Sequence, residues 1–270
     1  MRICYVNIME EAPSRPFLNL VEKIFPRAVR ADTEVSIKCV SPGVRSSAVN
    51  SAYVDLLNDA AIVEAVMVAE KEGYDAAVVA CFLDPGVRVA RSTVNMPVLG
   101  MGEPTMLFAS NLGDRLAVVT APGEKLIREM ERELVLYGFQ DRLIANKPVR
   151  PITLGGVEMF TRGMQDPQVV ASSVLEVAKT CVQDGADVVI VGCNALAPLC
   201  TTCGVAQVED TGVPLVDCTS VSLKMAEALV DLNRSLGLPY ISRNAVYALA
   251  SQKDIQRGQR WFGREIVAAR

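Results

Sequence analysis

The chain reads as an α/β protein of two pseudo-symmetric lobes, each a mainly parallel sheet flanked by helices, with the active site in the cleft between them. Three observations predict this. Short apolar runs alternate with helical stretches of ten or more residues, the pattern of βαβ units and parallel sheets. One run is repeated: Tyr74-Asp75-Ala76-Ala77-Val78-Val79-Ala80-Cys81 is echoed by Ala186-Asp187-Val188-Val189-Ile190-Val191-Gly192-Cys193. The echo extends to flanking features, with Gly73 and Gly185 before each Asp and Met96-Pro97-Val98-Leu99 resembling Val213-Pro214-Leu215-Val216. An offset near 112 residues is far too long for a solenoid repeat and fits duplication of one lobe.

In order along the chain, residues 3–6 predict a strand and 7–16 a polar loop, followed by a helix over 17–25 before Pro26. Residues 34–40 alternate like a strand and meet a turn signal at Ser41-Pro42-Gly43. Residues 53–72 are apolar at helical spacing, and Gly73 stops them. The first cysteine strand follows at 76–80, then the turn Asp84-Pro85-Gly86 and a short strand at 97–100. Residues 115–120 open the second half; helices are predicted at 123–136 and 167–184, then the second cysteine strand, a strand at 214–216 and a late helix over 221–236. Gly155-Gly156 reads as a turn, and the tail from Asn244 with Trp261 as a segment packed across a lobe or a subunit contact. The lobes are placed at 1–112, to which 221–270 can also belong, and 113–220.

At 270 residues, half of them apolar and 21% charged, the chain has the balance of a globular protein with sizeable cores. A net charge of −4 argues against nucleic acid and acidic membranes as partners. No apolar run reaches the roughly eighteen residues of a membrane span. The opening strand is interrupted by Glu10 and Glu11, unlike a secretory signal, so a cytoplasmic location is expected.

There is no histidine. Ser-His and Cys-His catalysis and imidazole acid/base work are thereby excluded. Proton transfer near neutral pH falls to Cys, Asp, Glu, Lys or Tyr. The eight cysteines read as thiols in a reducing compartment. Ligands bind beyond the carboxyl ends of parallel strands, so Cys81 and Cys193 are the candidate catalytic pair, one from each lobe. A thiol acting as base needs its pKa lowered, and backbone amides over 195–199 are expected to supply that. Cys200-Thr201-Thr202-Cys203 lacks a second CxxC, so zinc is not expected and no metal is assigned. Cys4, Cys39, Cys181 and Cys218 read as core residues.

Candidate substrate-binding residues are Glu10, Phe82, Asp84, Thr120, Asn194 and Ala195. Thr120 ends the strand that opens the second lobe, the position pseudo-equivalent to Asn7; Phe82 and Asp84 follow the first cysteine, Asn194 and Ala195 the second. Glu103, Arg45 and Arg88 are weaker candidates for orienting a ligand or holding a carboxylate.

Ala80-Cys81-Phe82-Leu83-Asp84-Pro85-Gly86-Val87 resembles the first catalytic-cysteine motif of hydantoin racemases, in the aspartate/glutamate racemase superfamily. Pro97-Val98-Leu99-Gly100-Met101-Gly102-Glu103 resembles the segment that follows, and Val191-Gly192-Cys193 with Gly212-Val213-Pro214 the second motif. The resemblance implies cofactor-independent exchange of the proton on a stereocentre, with Cys81 and Cys193 as the acid/base pair, and an oligomer. Two departures stand out. Asn7-Ile8-Met9-Glu10 replaces the family's ligand-contacting Asn-Pro-Asn-Thr, so the resemblance implies only Asn7 as a substrate-binding residue there, and Asn194-Ala195 replaces its common Ala-Gly.

The expected function is racemisation of a 5-substituted hydantoin or similar cyclic amide by two-cysteine proton transfer, with a small molecule as the partner. Alternatives are hydrolysis or desulfuration of a hydantoin or thiohydantoin ring with Glu10, Glu11 and Asn194 activating water, or decarboxylation in the same cleft. A non-catalytic small-ligand binder is the alternative outside enzymes.

Overall fold

A computed structural model describes residues 1–44 and 51–264. The first half contributes β1 (Arg2–Met9), α1 (Glu11–Ala28), β2 (Glu34–Val44), α2 (Ala52–Lys71), β3 (Ala76–Val79), α3 (Val87–Ala90), β4 (Val98–Leu99) and α4 (Gly102–Ala109). The second contributes β5 (Leu116–Thr120), α5 (Glu124–Leu136), β6 (Val149–Pro151), α6 (Gly156–Gln165), α7 (Pro167–Gln183), β7 (Val188–Val191), α8 (Ala197–Thr202) and β8 (Leu215–Asp217). Helices α9 (Cys218–Leu236) and α10 (Gln252–Trp261) complete it.

Among the described residues the strands form two parallel four-stranded sheets, in the orders β2-β1-β3-β4 and β6-β5-β7-β8. The same order in both makes the lobes pseudo-symmetric. β3 and β7 are buried along their whole length, which is why they read as continuous apolar runs rather than alternating ones.

The repeated Gly-x-Asp has a physical cause. Gly73 and Gly185 adopt left-handed φ values of 79° and 93° just past α2 and α7, turning the chain into the central strands. Asp75 then accepts from the Arg2 backbone N–H at 2.7 Å, and Asp187 accepts from the Asp114 and Arg115 N–H groups at 3.0 and 2.7 Å. Each Asp pins the start of the neighbouring strand and so sets the register.

Three local expectations change. Helix α1 spans Glu11–Ala28 rather than 17–25: Pro13 falls in the first turn, where its missing N–H costs nothing, and Pro16 and Pro26 are both carried inside the helix. Strand β2 runs through Pro42 to Val44; it is an edge strand, where proline is tolerated. Gly155-Gly156 opens a helix, α6, that the sequence reading left out.

Helix α9 packs against β3, α1 and α4. The tail lies over the first lobe: the Ala250 N–H donates to Ser92 O at 2.8 Å, Ile255 packs on that lobe's core, and Arg264 pairs with Glu64 at 2.8 Å. Trp261 stays 71% exposed. Among the described residues no helix is long and apolar enough to cross a membrane.

Candidate active site

The register places the two thiols equivalently. Val6 pairs with Val79 and Val119 with Val191, so Asn7 and Thr120 each stand one residue beyond a central strand pair, and Cys81 and Cys193 two. All four line one cavity of about 550 Å³ at the carboxyl ends of both sheets. Its wall is largely apolar, with Ile8, Met9, Phe17, Leu83, Leu126, Met130, Phe160 and Met164. Among the described residues that line it none is charged.

Backbone amides act on each thiol: those of Ala195, Ala121 and Leu196 favour the Cys193 thiolate, and that of Leu83 favours the Cys81 thiolate. The expectation of lowered thiol pKa values does not hold. Burial outweighs the amides: it pushes the Cys81 thiol up to about 12, with Cys193, Asp84 and Asp59 adding to the rise, and it raises Cys193 as well. Cys193, with three donors against one, is the better placed to carry negative charge.

Seven of the nine residues singled out from sequence meet on this wall: Asn7, Cys81, Phe82, Thr120, Cys193, Asn194 and Ala195. The Asn7 amide group donates to Met9 O at 2.9 Å and Ser14 Oγ at 3.2 Å, tying β1 to α1. The Thr120 hydroxyl donates to Gly192 O at 3.3 Å. Phe82 reaches across to the second lobe, where a Cβ on Gly192 would come 3.3 Å from its ring. Asn194 Oδ1 accepts from the Tyr5 hydroxyl at 2.6 Å and the Thr219 hydroxyl at 3.1 Å.

Asp84 and Glu10 do not join the wall. The Asp84 carboxylate turns away to the start of α4, accepting from the N–H groups of Met101, Gly102 and Glu103 at 2.6, 2.7 and 2.8 Å and from the Tyr137 hydroxyl at 2.7 Å. It is a helix cap, since three orphan amides there outcompete an open cleft for its oxygens. Glu10 lines a separate depression with Glu11, Lys38 and Cys39, and accepts from the Gly43 N–H at 3.4 Å. Glu103 pairs with Arg91 at 2.8 Å, Arg88 is exposed, and Arg45 lies outside the described residues. Cys200 and Cys203, on and just beyond α8, are absent from the wall.

The sequence reading missed Tyr5, the start of α1 and all of α6, whose Phe160, Thr161, Met164 and Gln165 cover the cavity. The available signal for α6 was helical spacing of Phe160 and Met164 after a glycine pair.

The comparisons agree with this architecture. The family model for "Asp/Glu/Hydantoin racemase" matches residues 12–226. A hydantoin racemase of Pseudomonas sp. (strain NS671) is 31% identical over 246 residues, 90% of this chain and 91% of that protein. An allantoin racemase from Pseudomonas fluorescens superposes with a TM-score of 0.75 at 25% identity, covering 93% of this chain and 97% of the other. An allantoin racemase from Klebsiella pneumoniae shares the fold with a TM-score of 0.77 at 23% identity, covering 93% and 94%. Matched along most of its length by sequence and by fold, the chain belongs to the Asp/Glu/hydantoin racemase family and is an isomerase of the racemase kind.

Proposed function

We propose that this enzyme racemises a 5-substituted hydantoin or a similar neutral cyclic amide, using Cys81 and Cys193 as the two proton-transfer groups and no cofactor. The observation that carries the reading is the placement of both thiols at register-equivalent strand ends on one cavity. A racemase must reach both faces of one carbon, and two pseudo-symmetric lobes supply one sulfur from each side.

In one direction the Cys193 thiolate takes the proton from the stereocentre, and the electron pair moves into the adjacent carbonyl, forming an enolate. The Cys81 thiol then protonates the opposite face and is left as thiolate. The reverse direction exchanges the roles, so atoms and charge balance over a cycle. The three amides on Cys193 favour its starting as the thiolate. With its amide nitrogen committed to Met9 O and Ser14 Oγ, Asn7 offers Oδ1 as an acceptor for a ring N–H.

The uncharged wall favours a neutral ring over a free amino acid or a malonate. The hydrolytic alternative calls on Glu10, Glu11 and Asn194 to activate water; Asn194 lines the cavity, but the two carboxylates do not.

The test uses one pure enantiomer in deuterated water, followed by optical rotation, mass and proton NMR. Wild type should lose rotation at constant ring mass while gaining one deuterium at the stereocentre. Cys81→Ala and Cys193→Ala should each stop racemisation. Racemisation by both single variants refutes the two-thiol mechanism, and a product of altered ring mass refutes the racemase reading.

A further inference from the structure

We propose that Asn194 is the hydrogen-bond donor to the substrate carbonyl oxygen on which the enolate charge develops, and that Tyr5 and Thr219 are positioning residues that aim it. This rests on the racemase reading above and adds a specificity-determining residue to it.

An asparagine side chain carries one acceptor oxygen with two lone pairs and one amide group with two donors. In Asn194 both lone pairs are taken, by the Tyr5 and Thr219 hydroxyls at 2.6 and 3.1 Å. Tyr5 and Thr219 are wholly buried, and neither hydroxyl donates elsewhere among the described residues. Turning the amide over would leave two buried hydroxyl donors without an acceptor, which fixes its orientation. Tyr5 is itself immobilised, its ring packed against Phe25 with centroids 5.4 Å apart.

The other end of the amide is therefore presented outward. Nδ2 has no partner among the described residues, yet the side-chain polar atom that is both wholly buried and unpartnered is Thr105 Oγ1. Nδ2 is thus not fully enclosed, although Asn194 is buried, and its residue lines the cavity next to Cys193. A fixed neutral donor beside the proton-abstracting sulfur is where a developing enolate oxygen needs one. The grip also crosses the molecule: Tyr5 lies on β1 of the first sheet and Asn194 follows β7 of the second, 189 residues later. The donor is aimed only when the two lobes are correctly seated.

The test measures kcat and KM for 5-benzylhydantoin and for its analogue with sulfur in place of the C4 oxygen, a much weaker hydrogen-bond acceptor. Asn194→Ala should lower kcat for the oxygen substrate about 100-fold with KM nearly constant. Tyr5→Phe should lower it roughly fivefold. The wild-type preference for oxygen over sulfur should shrink by the same factors, which a merely structural role would not produce. Asn194→Asp keeps the shape and both hydroxyl bonds, loses the donor and adds a negative charge, so it should lower kcat at least as far as Asn194→Ala and serves if the alanine variant folds poorly. An unchanged oxygen-to-sulfur ratio in folded Asn194 variants overturns the inference alone. Wild-type protein that leaves both enantiomers of the oxygen substrate untouched overturns the racemase reading, and this inference with it.

Discussion

The Tyr137 hydroxyl, at the end of α5 in the second lobe, donates to Asp84 Oδ2 of the first lobe at 2.7 Å. The same carboxylate caps α4, and that helix follows β4 beside the first cysteine strand. Asp84 thus joins the two lobes and braces the loop that carries Cys81 and Phe82. Burial pushes its carboxyl up to about 6 against the pull of four donors.

Asp84→Asn should destabilise the fold by about 1–3 kcal/mol, because an amide group would face the donors now served by an oxygen. The pH dependence has a definite sign. The folded carboxyl at about 6 lies above its unfolded value near 3.8, so in that window the native state binds the extra proton. Wild-type stability relative to Asp84→Asn should therefore grow as pH falls from 7 to 4, by roughly 3 kcal/mol at most. Urea midpoints of both proteins at several pH values measure it; a gap that narrows on acidification contradicts the assignment.

Gly100→Ala should be nearly as harmful without replacing a polar side chain. A Cβ at Gly100 would overlap the Asp84 carboxylate itself, and one at Gly102 would overlap Phe82 O. Displacing the cap should cost about 2 kcal/mol, read as a lowered thermal midpoint, and should slow racemisation by shifting the Cys81 loop.

Activity should rise with pH. Both thiols sit above their ordinary values, Cys81 at about 12, so near neutrality the thiolate fraction is small and increases about tenfold per pH unit. The profile of kcat/KM should climb from pH 6 to 9 without a plateau. Iodoacetamide should modify Cys193 faster than Cys81, as peptide mass mapping would show, because three amides stabilise its thiolate against one. A plateau beginning below pH 7 would be inconsistent with raised thiols.

The apolar wall of Phe17, Leu126, Met130, Phe160 and Met164 should reward apolar 5-substituents. Each added methylene contributes about 0.8 kcal/mol when buried, or roughly fourfold in kcat/KM, from methyl to isobutyl or benzyl. Phe160→Ser should erase most of this gain and leave 5-methylhydantoin little affected. A charged carboxyethyl substituent outperforming benzyl would contradict the reading.

By itself the sequence determined the two-sheet architecture and the strand-end positions of both thiols. The reason is local: a left-handed glycine, an Asp that pins the neighbouring strand and a fully apolar run specify where β3 and β7 start, stop and register, so Cys81 and Cys193 follow by counting. Thr120 was legible as the end of the strand that opens the second lobe, and Asn7 through the family resemblance. Only the tertiary structure decided where the side chains beyond those strand ends point. Asp84 was drawn from the cleft by three unpaired amides of α4, a helix 17 to 19 residues later, and Glu10 was carried outside when Pro13 proved compatible with the first turn of α1. The covering helix α6 and the pairing of Tyr5 with Asn194 depend on contacts between distant segments. The raised thiols were equally hidden, because desolvation is set by every atom packed around a sulfur and by no motif beside it.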